Sequence, residues 1–564
     1  MSAGQTITLL RHATSCTRPC LRFTPRAPLN GRQFKRLLAS SSSPTTSSNA
    51  KRIQTWQAVL LGSLTTVAIQ AALLHGNAPA SASASTSDHA SPQAGVRNLE
   101  NALDAIHQAG IETSTVKDVL QSYATAPGTS YPPSLPLALA YPSSTEDVVQ
   151  IVNACRESNV PVIPISGRTS LEGQTLAVTK KGSAVLVCLD KMNNIIEVNE
   201  MNGDAVVQAG VQWEALNEHL ADQGIPLFFP IDPGPGAAFG GMIGCGGSGT
   251  AAVRFGSMKG EYIINATVVL PSGKIMKTRS RARKSAMGWD TTKLFIGAEG
   301  TLGIVTECTV RLAPKLPIKV ATASFPSVDA AVRTVVELLN RGVQVTCVEL
   351  LDDVTMKAIN LSGQMSRVYP EKPHLFIKFS GGPGSMSDNI ALTNEILRKH
   401  KGEKLQIAKD EAENEEIWQA RKGLFFSQQL LVPGCKVYIT DACVPLSKLP
   451  ELVEGCAKDI KESGFVAPIL GHSGDGNIHA AILYDPARPY SEVKALARKI
   501  SARAISLQGT ASGEHGVGQS KIEFMEQELG PETVELMRTI KKALDPQDLF
   551  NPGKLLPESQ SRSL

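Results

Sequence analysis

The sequence predicts an α+β protein with two principal domains behind a long leader, and three observations carry that expectation. Short apolar or alternating runs bounded by Gly, Asn and Asp lie between amphipathic stretches of helical period, with no internal repeat. At 564 residues the chain is long enough for two or three cores. Two glycine-rich zones, 161–173 and 230–256, interrupt a first group of strands, and a second group begins near 317.

Residues 1–55 carry Arg11, Arg18, Arg22, Arg26, Arg32, Lys35 and Arg36 among many Ser and Thr, the composition of a mitochondrial transit peptide. Residues 56–74 follow Lys51 and Arg52 and hold no charge. At about 1.5 Å per residue they cross most of a bilayer core of about 30 Å. They are a candidate transmembrane segment, weakened by Gln57, Ser63, Thr65, Thr66 and Gln70, with a buried helix as the alternative. The positive flank would stay in the matrix and leave the body on the intermembrane-space face of the mitochondrial inner membrane. Residues 75–96, rich in Ala, Ser and Pro, read as a linker.

The net charge of +4 hides an asymmetry, because the first 87 residues hold nine Arg and Lys and no Asp or Glu. The remainder has 47 basic against 52 acidic residues, which argues against nucleic acid as a partner. Hydrophobic residues at 42% and charged residues at 19% exclude a disordered chain and a polytopic membrane protein. Ten cysteines without a Cys-x-x-Cys pair read as reduced thiols.

In the body, apolar spacing predicts a helix over 96–124, a strand at 135–141, and a helix over 148–159 started by Ser144 and closed before Pro161. Strands are expected at 162–165, 184–189, 195–198, 205–209, 267–270, 274–277 and 304–312. The second unit reads as strands at 319–325, 347–351, 374–379, 437–440, 466–470 and 478–483, with helices over 328–340, 387–400, 448–463 and 491–507. A last helix is expected over 531–544. The divisions are an amino-terminal domain over 97–316 with its core at 135–314, a second domain over 317–535, and a closing segment over 536–564.

Chemistry concentrates in a few motifs. The loop Ser166-Gly167-Arg168-Thr169-Ser170-Leu171 follows Pro164, and its backbone N–H groups can converge on an anion. Gly244 to Gly249 satisfies Gly-x-Gly-x-x-Gly, yet Pro230, Pro233 and Pro235 break the strand that a dinucleotide site needs before it. If Asp475-Gly476 forms a two-residue hairpin turn, His472 lies directly opposite His479, about 4.5–5.5 Å away between Cβ atoms. Two imidazoles so placed can share one metal ion, with Glu514 of Gly513-Glu514-His515-Gly516 as a third ligand, an open arrangement of the catalytic kind. The alternative for each histidine is a satisfied place in the core.

The first loop resembles the pyrophosphate loop of the vanillyl-alcohol-oxidase, or p-cresol-methylhydroxylase (PCMH), type of FAD-binding domain. The stretch from Pro233-Gly234 through Gly240-Gly241 and Ser248-Gly249 resembles that family's second flavin-contacting segment, and Gly300, Gly303, Ile304, Val305 and Asn551 fall in two further segments of the same pattern. The implied fold is a two-subdomain PCMH-type FAD-binding domain with a carboxy-terminal α+β cap carrying an antiparallel sheet. Pro164, Ser166, Gly167, Arg168, Thr169, Ser170 and Leu171 join these as expected cofactor contacts. The loop lacks the His to which some members attach the flavin, so the resemblance implies non-covalent FAD. Two departures stand out: Arg168 where a small residue is usual, which either closes the loop on the phosphates or crowds it, and Ala251 where Asn is usual.

The His472/His479 and Glu514-His515 motifs are similar to those of FAD-linked D-lactate and D-2-hydroxyglutarate dehydrogenases. That likeness implies a divalent metal, Zn2+ or Mn2+, on His472, His479 and Glu514, with His515 as general base and Arg421 on the substrate carboxylate. In the hydroxyglutarate enzymes a Lys helps to hold the second carboxylate, and Ile439 stands in the matching stretch here. The implied substrate is therefore a small D-2-hydroxy monocarboxylic acid, with cytochrome c as electron acceptor. The rival expectations are a D-2-hydroxyglutarate dehydrogenase and, from Arg168 and Ala251, a non-catalytic membrane-tethered flavin module.

Overall fold

The structure, a computed structural model, describes residues 92–558 apart from 127, 130, 178, 180 and 181. The expected transit peptide, the candidate segment 56–74 and nearly all of the expected linker lie outside the described residues. Among the described residues no helix is long and apolar enough to cross a membrane.

The helix expected over 96–124 is broken. It runs Pro92–Gln108, stops at Gly110 in the left-handed region (φ 76°), and gives way to strand β1, Glu112–Ser114, before a short helix Lys117–Ser122. Strand β1 joins β2 (Ala138–Tyr141), β3 (Val162–Ile165) and β4 (Val185–Cys188) in a mixed sheet of order β1-β2-β4-β3. Ser144 caps Thr145–Glu157 as expected, in a reciprocal box with Asp147.

The next sheet is antiparallel and contains β5 (Ile195–Asn199), β6 (Asp204–Gln208), β8 (Ile263–Val269), β9 (Ile275–Lys277) and β10 (Ile304–Arg311), in the order β5-β6-β10-β8-β9. A two-stranded pair, β7 (Leu227–Phe228) with β11 (Ala313–Pro314), leads towards the second unit. The second glycine-rich zone is not all loop. Phe239–Cys245 is helical, and Gly246, at φ 67°, is its left-handed cap. The Gly-x-Gly-x-x-Gly motif thus closes a helix, whereas a dinucleotide fingerprint opens one.

The second unit holds an eight-stranded antiparallel sheet: β12 (Ile318–Ser324), β13 (Val345–Leu351), β14 (His374–Ser380), β15 (Gln406–Ile407), β16 (Lys436–Ile439), β17 (Ala442–Cys443), β18 (Ile469–His472) and β19 (Asn477–Tyr484). Its order is β15-β12-β14-β13-β18-β19-β16, with β17 beside β19. Period-2 alternation separates two faces. Val348, Leu350, Ile469, Ile478 and Ala480 pack beneath the helices Val328–Asn340, Pro383–Lys399, Leu449–Ser463 and Tyr490–Ser506. Cys347, Leu351 and Leu470 pack on the other face with Ile417 and Trp418, and Glu349 lies between Cys347 and Leu351 on that side. The helix Pro531–Leu544 forms as expected, and the chain then returns to the first sheet, where Leu549 and Asn551 bond the backbone of Val162 at 2.9 Å.

Close contact between β18 and β19 rests on Gly471, where an added Cβ would stand 2.3 Å from Asn477 O and 2.8 Å from Ile478 Cα. Gly471→Ala is expected to cost about 1–3 kcal/mol by overpacking, read as a lower urea midpoint. An unchanged midpoint would mean that the pair tolerates a methyl group there.

Candidate active site

The two glycine-rich loops meet. An added Cβ on Gly167 would stand 2.6 Å from Gly236 O, and one on Gly240 would stand 3.3 Å from Ser166 Oγ. Between them opens a cavity of about 250 Å³ lined by Pro164, Ser166, Thr169, Ser170, Leu171, Pro233, Gly234, Gly240, Gly241, Ser248, Gly300, Gly303, Val305 and Asn551, with Glu514 and His515 in its wall. Gly167, Arg168, Gly249 and Ile304, expected as cofactor contacts, do not line it. Gly167 and Gly249 are packed against backbone, and Ile304 is fully buried in the core. Arg168, at φ 56°, sends its guanidinium outward to Ser122 O (2.6 Å) and Thr125 O (3.1 Å), over the ring of Tyr123. It therefore neither closes on an anion in the cavity nor crowds it.

The cavity fits a dinucleotide pyrophosphate. The N–H groups of Thr169, Ser170 and Leu171 make no bond to any described residue, and Ser170 Oγ is buried in the cavity wall without a partner among them. Successive free donors of this kind form an anion nest.

The paired histidines meet by a different register. Leu470 faces His479 and Ile469 faces Ala480, so four residues, 473–476, form the turn, not two. His472 is consequently the diagonal neighbour of His479. A shift of two residues leaves every side chain on its own face, and the rings lie 5.5 Å apart. Both Nε2 atoms converge on Glu514 Oε1, at 3.3 Å from His472 and 3.2 Å from His479. Tetrahedral ligands about 2.0–2.1 Å from zinc stand about 3.3 Å from one another. Behind them, His472 Nδ1 meets Glu349 at 2.9 Å and His479 Nδ1 meets Thr440 O at 3.1 Å, the supports that orient metal-binding imidazoles.

Asp441 holds the loop that carries Glu514 and His515. Its Oδ2 accepts from the N–H groups of Glu514 (2.9 Å) and His515 (2.8 Å) and lies 3.5 Å from Lys521 Nζ. His515 stacks on His479 at 5.0 Å between centroids, and its carbonyl accepts from Gln174 Nε2 at 2.7 Å. Its Nδ1 is buried and makes no hydrogen bond, 3.6 Å from Glu172 Oε1 and 3.9 Å from Asp441 Oδ2. Burial opposes a charge on His515, but Asp441 and Glu172 outweigh it and raise its pKa.

Charge balance in this seam points to a cation. Burial opposes ionisation of Glu172, Glu349, Asp441 and Glu514, yet neighbouring cations hold all four below the ordinary carboxylate range. Arg421 and Lys521 are the two permanent cations among them. Four carboxylates against two such cations leave two negative charges, to be met by protonated histidines or a divalent ion. In the bare chain Glu349 and Glu514 hold His472 charged, with its pKa well above the usual imidazole value despite burial.

Arg421 is not the solvated helix charge that its place on Glu411–Lys422 suggests by default. It is buried, and its Nε and Nη2 both donate to Glu349 Oε2, at 3.0 and 2.6 Å. It does not line the cavity. Sequence reasoning missed Glu349, Asp441, Glu172, Lys521, Gln174 and Glu299. Glu349 had a signal: one carboxylate in the otherwise uncharged run 345–351 demands a buried partner.

Comparisons with known proteins place these observations. Residues 136–279 match the family described as FAD binding domain, and residues 317–555 match the FAD linked oxidases, C-terminal domain. The mitochondrial "D-lactate dehydrogenase [cytochrome]" of Arabidopsis thaliana is 41% identical over 75% of this chain and 74% of its own. "D-lactate dehydrogenase [cytochrome] 1, mitochondrial" of Saccharomyces cerevisiae is 40% identical over 75% and 73%. Among solved structures, p-cresol methylhydroxylase with substrate bound superposes with a TM-score of 0.64 at 16% identity, over 82% of this chain and 97% of its own. The expected α+β, PCMH-type fold is thereby confirmed.

Glu299 joins the glycine-rich loops to the 512–518 loop: it accepts from the N–H groups of Val517 (2.6 Å) and Gly518 (2.9 Å), and its carbonyl accepts from Asn551 (2.7 Å). Burial pushes its carboxyl from 4.5 up to about 7, against those N–H groups. Between these values the folded chain keeps a proton that the unfolded chain releases, so this group's stabilisation is full below pH 4.5 and is lost as the pH rises through 7. Glu299→Gln is expected to flatten a decline of up to about 3 kcal/mol, read as urea midpoints at pH below and above that window. Parallel declines in both proteins would show that Glu299 is already ionised in the fold.

Proposed function

The chain belongs to the FAD-linked oxidase family that includes the mitochondrial D-lactate dehydrogenases, and on that premise we propose that it oxidises D-lactate to pyruvate with non-covalently bound FAD and passes the electrons to cytochrome c. The observation that carries this reading is the convergence of His472 and His479 on Glu514, which with His515 lies in the wall of the cavity formed by the glycine loops.

The 166–171 loop and the segments at 233–248 and 300–305 would hold FAD, which would supply the hydride acceptor. His472, His479 and Glu514 would hold a divalent ion, Zn2+ or Mn2+, which would supply Lewis acidity. The chain's own residues do the rest. Arg421 fixes Glu349, and Glu349 fixes the tautomer and direction of His472. Arg421 spends Nε and Nη2 on Glu349 and lies outside the cavity wall, so contact with a substrate carboxylate would fall to Nη1. His515 takes the hydroxyl proton, and Glu172 and Asp441 stabilise the charged ring that results.

Substrate size follows from a small neighbouring cavity lined by Leu171, Ile439, Tyr131, Tyr438 and Glu172. Ile439 brings no cation, and Glu172, held ionised by Lys521 despite burial, repels a second carboxylate. A monocarboxylate is favoured over 2-hydroxyglutarate. The relatives' names include "cytochrome" and "mitochondrial", and the acidic balance of the body suits a basic acceptor. The leader, with residues 56–74, would place that body on the intermembrane-space face of the inner membrane.

D-lactate is expected to bleach the bound flavin anaerobically, whereas D-2-hydroxyglutarate should leave it oxidised over the same time; the reverse preference would replace the monocarboxylate reading. His515→Asn should lower kcat/KM by about 10²–10⁴ with flavin absorbance retained, and a variant with wild-type turnover would remove His515 from proton transfer.

A further inference from the structure

Lys521 is buried between the two domains, on the segment that continues the 512–518 loop. Its Nζ stands 3.0 Å from Glu172 Oε1 and 3.5 Å from Asp441 Oδ2. Glu172 directly follows the 166–171 loop of the amino-terminal domain, and Asp441 lies between β16 and β17 of the second. The same two oxygens flank His515 Nδ1, at 3.6 and 3.9 Å. Among the described residues no other Lys or Arg pairs with either carboxylate. Burial opposes the charge on Lys521, but Glu172 and Asp441 outweigh it and keep it an ammonium.

The backbone around Lys521 is fixed as firmly as its charge. Its N–H donates to Val517 O (3.1 Å), the N–H of Gln519 donates to Glu172 O (2.8 Å), and Ser520 Oγ donates to Glu172 Oε2. An added Cβ on Gly518 would run into Glu172 O. Lys521 does not line the flavin cavity. It lines a second cavity, of about 500 Å³, which shares Glu299 and Glu514 with the first and reaches the surface beside Leu536, 60% exposed.

We propose that Lys521 is a positioning residue for hydroxy-acid oxidation: by clamping Glu172 to Asp441 it sets where the ring of His515 stands against the flavin-binding loop. Two carboxylates beside one imidazole edge repel each other in a seam withdrawn from water, and a cation between them turns that repulsion into a clamp across two domains. Without it Glu172 and Asp441 would part, and Asp441 carries the N–H groups of Glu514 and His515 with it. A reacting group displaced by about 1 Å loses on the order of 10²-fold in rate. The role of Lys521 rests on the reading of His515 as the base, and it does not depend on which small D-2-hydroxy acid is oxidised.

The test follows anaerobic bleaching of the flavin when the full-length, flavin-loaded protein is mixed with D-lactate. Lys521→Ala is expected to lower the limiting bleaching rate about 10²-fold, with flavin absorbance retained and the half-saturating D-lactate concentration within about threefold of wild type. Propylammonium, which replaces the missing atoms by way of the second cavity, should speed that variant at least about tenfold and leave wild type unchanged. Lys521→Met with Glu172→Gln removes the ion pair as a unit, so it should hold flavin even where Lys521→Ala does not, and it should bleach as slowly. A limiting rate within about twofold of wild type in either variant overturns the proposal. So does a slow Lys521→Ala that propylammonium fails to speed, or loss of flavin from both variants, each of which would make Lys521 a support of the fold alone. A wild type that no D-2-hydroxy acid bleaches refutes the underlying reading and this role with it, whereas a normal wild type beside an unimpaired variant refutes the role alone.

Discussion

Glu172, Glu349 and Asp441 are buried and Glu514 is half-buried in one seam, and the rest of the site is arranged around the cost of keeping these four carboxylates charged. An isolated buried carboxylate would take up a proton. These remain anionic because Arg421 and Lys521 stand beside Glu349, Glu172 and Asp441, and because backbone N–H groups are aimed at Asp441. The remaining negative charge is centred where two imidazoles share one oxygen of Glu514. The negative charge at that point is therefore a property of the whole seam, not of three side chains alone.

The scaffold reaches this arrangement through strand alternation and three tethers. A bulge between Val345 and Cys347 shifts β13, and from there Val348 and Leu350 pack on helices while Glu349 faces the cavity side with His472 beside it. Asp441 holds the 512–515 loop from the cap, and Glu299 holds its continuation from the flavin side. Asn551 then bonds the carbonyls of Gln174 and Glu299, so the closing segment fastens the same loops from a third direction. The flavin cavity and the metal-like cluster consequently share a wall, in which Glu514 and His515 occupy adjacent positions.

Much of this was legible in the sequence, and the misses have physical reasons. The side on which His472 and His479 lie followed from a period of two, while the register depended on turn length, which Asp-Gly alone does not determine. Strands with uniform apolar runs were placed to within a few residues. The helix over 96–124 was overextended because apolar spacing continued past Gly110, whose positive φ ended it. The helix Phe239–Cys245 was missed because its glycines signal loop. Arg421 could be assigned to a helix, but its burial depended on Glu349, a residue 72 positions away. Pairings of that range leave no trace in local pattern.

The two departures from the family pattern bear on whether the site can work, and both are answered by where the side chains go. Arg168 takes a left-handed backbone conformation that favours glycine, a strain its side chain offsets by bonding two carbonyls and covering Tyr123 away from the cavity. Ala251 sits in an apolar cluster with Cys347, Ile417 and Trp418, where an Asn side chain would need buried partners. Neither change reaches the N–H groups of 169–171 or the Glu514 cluster. A degenerate flavin module would be expected to lose buried charges first, since nothing but function maintains an expensive seam. Here the four carboxylates, Arg421 and Lys521 are all held in the seam, and the altered positions are those that pack.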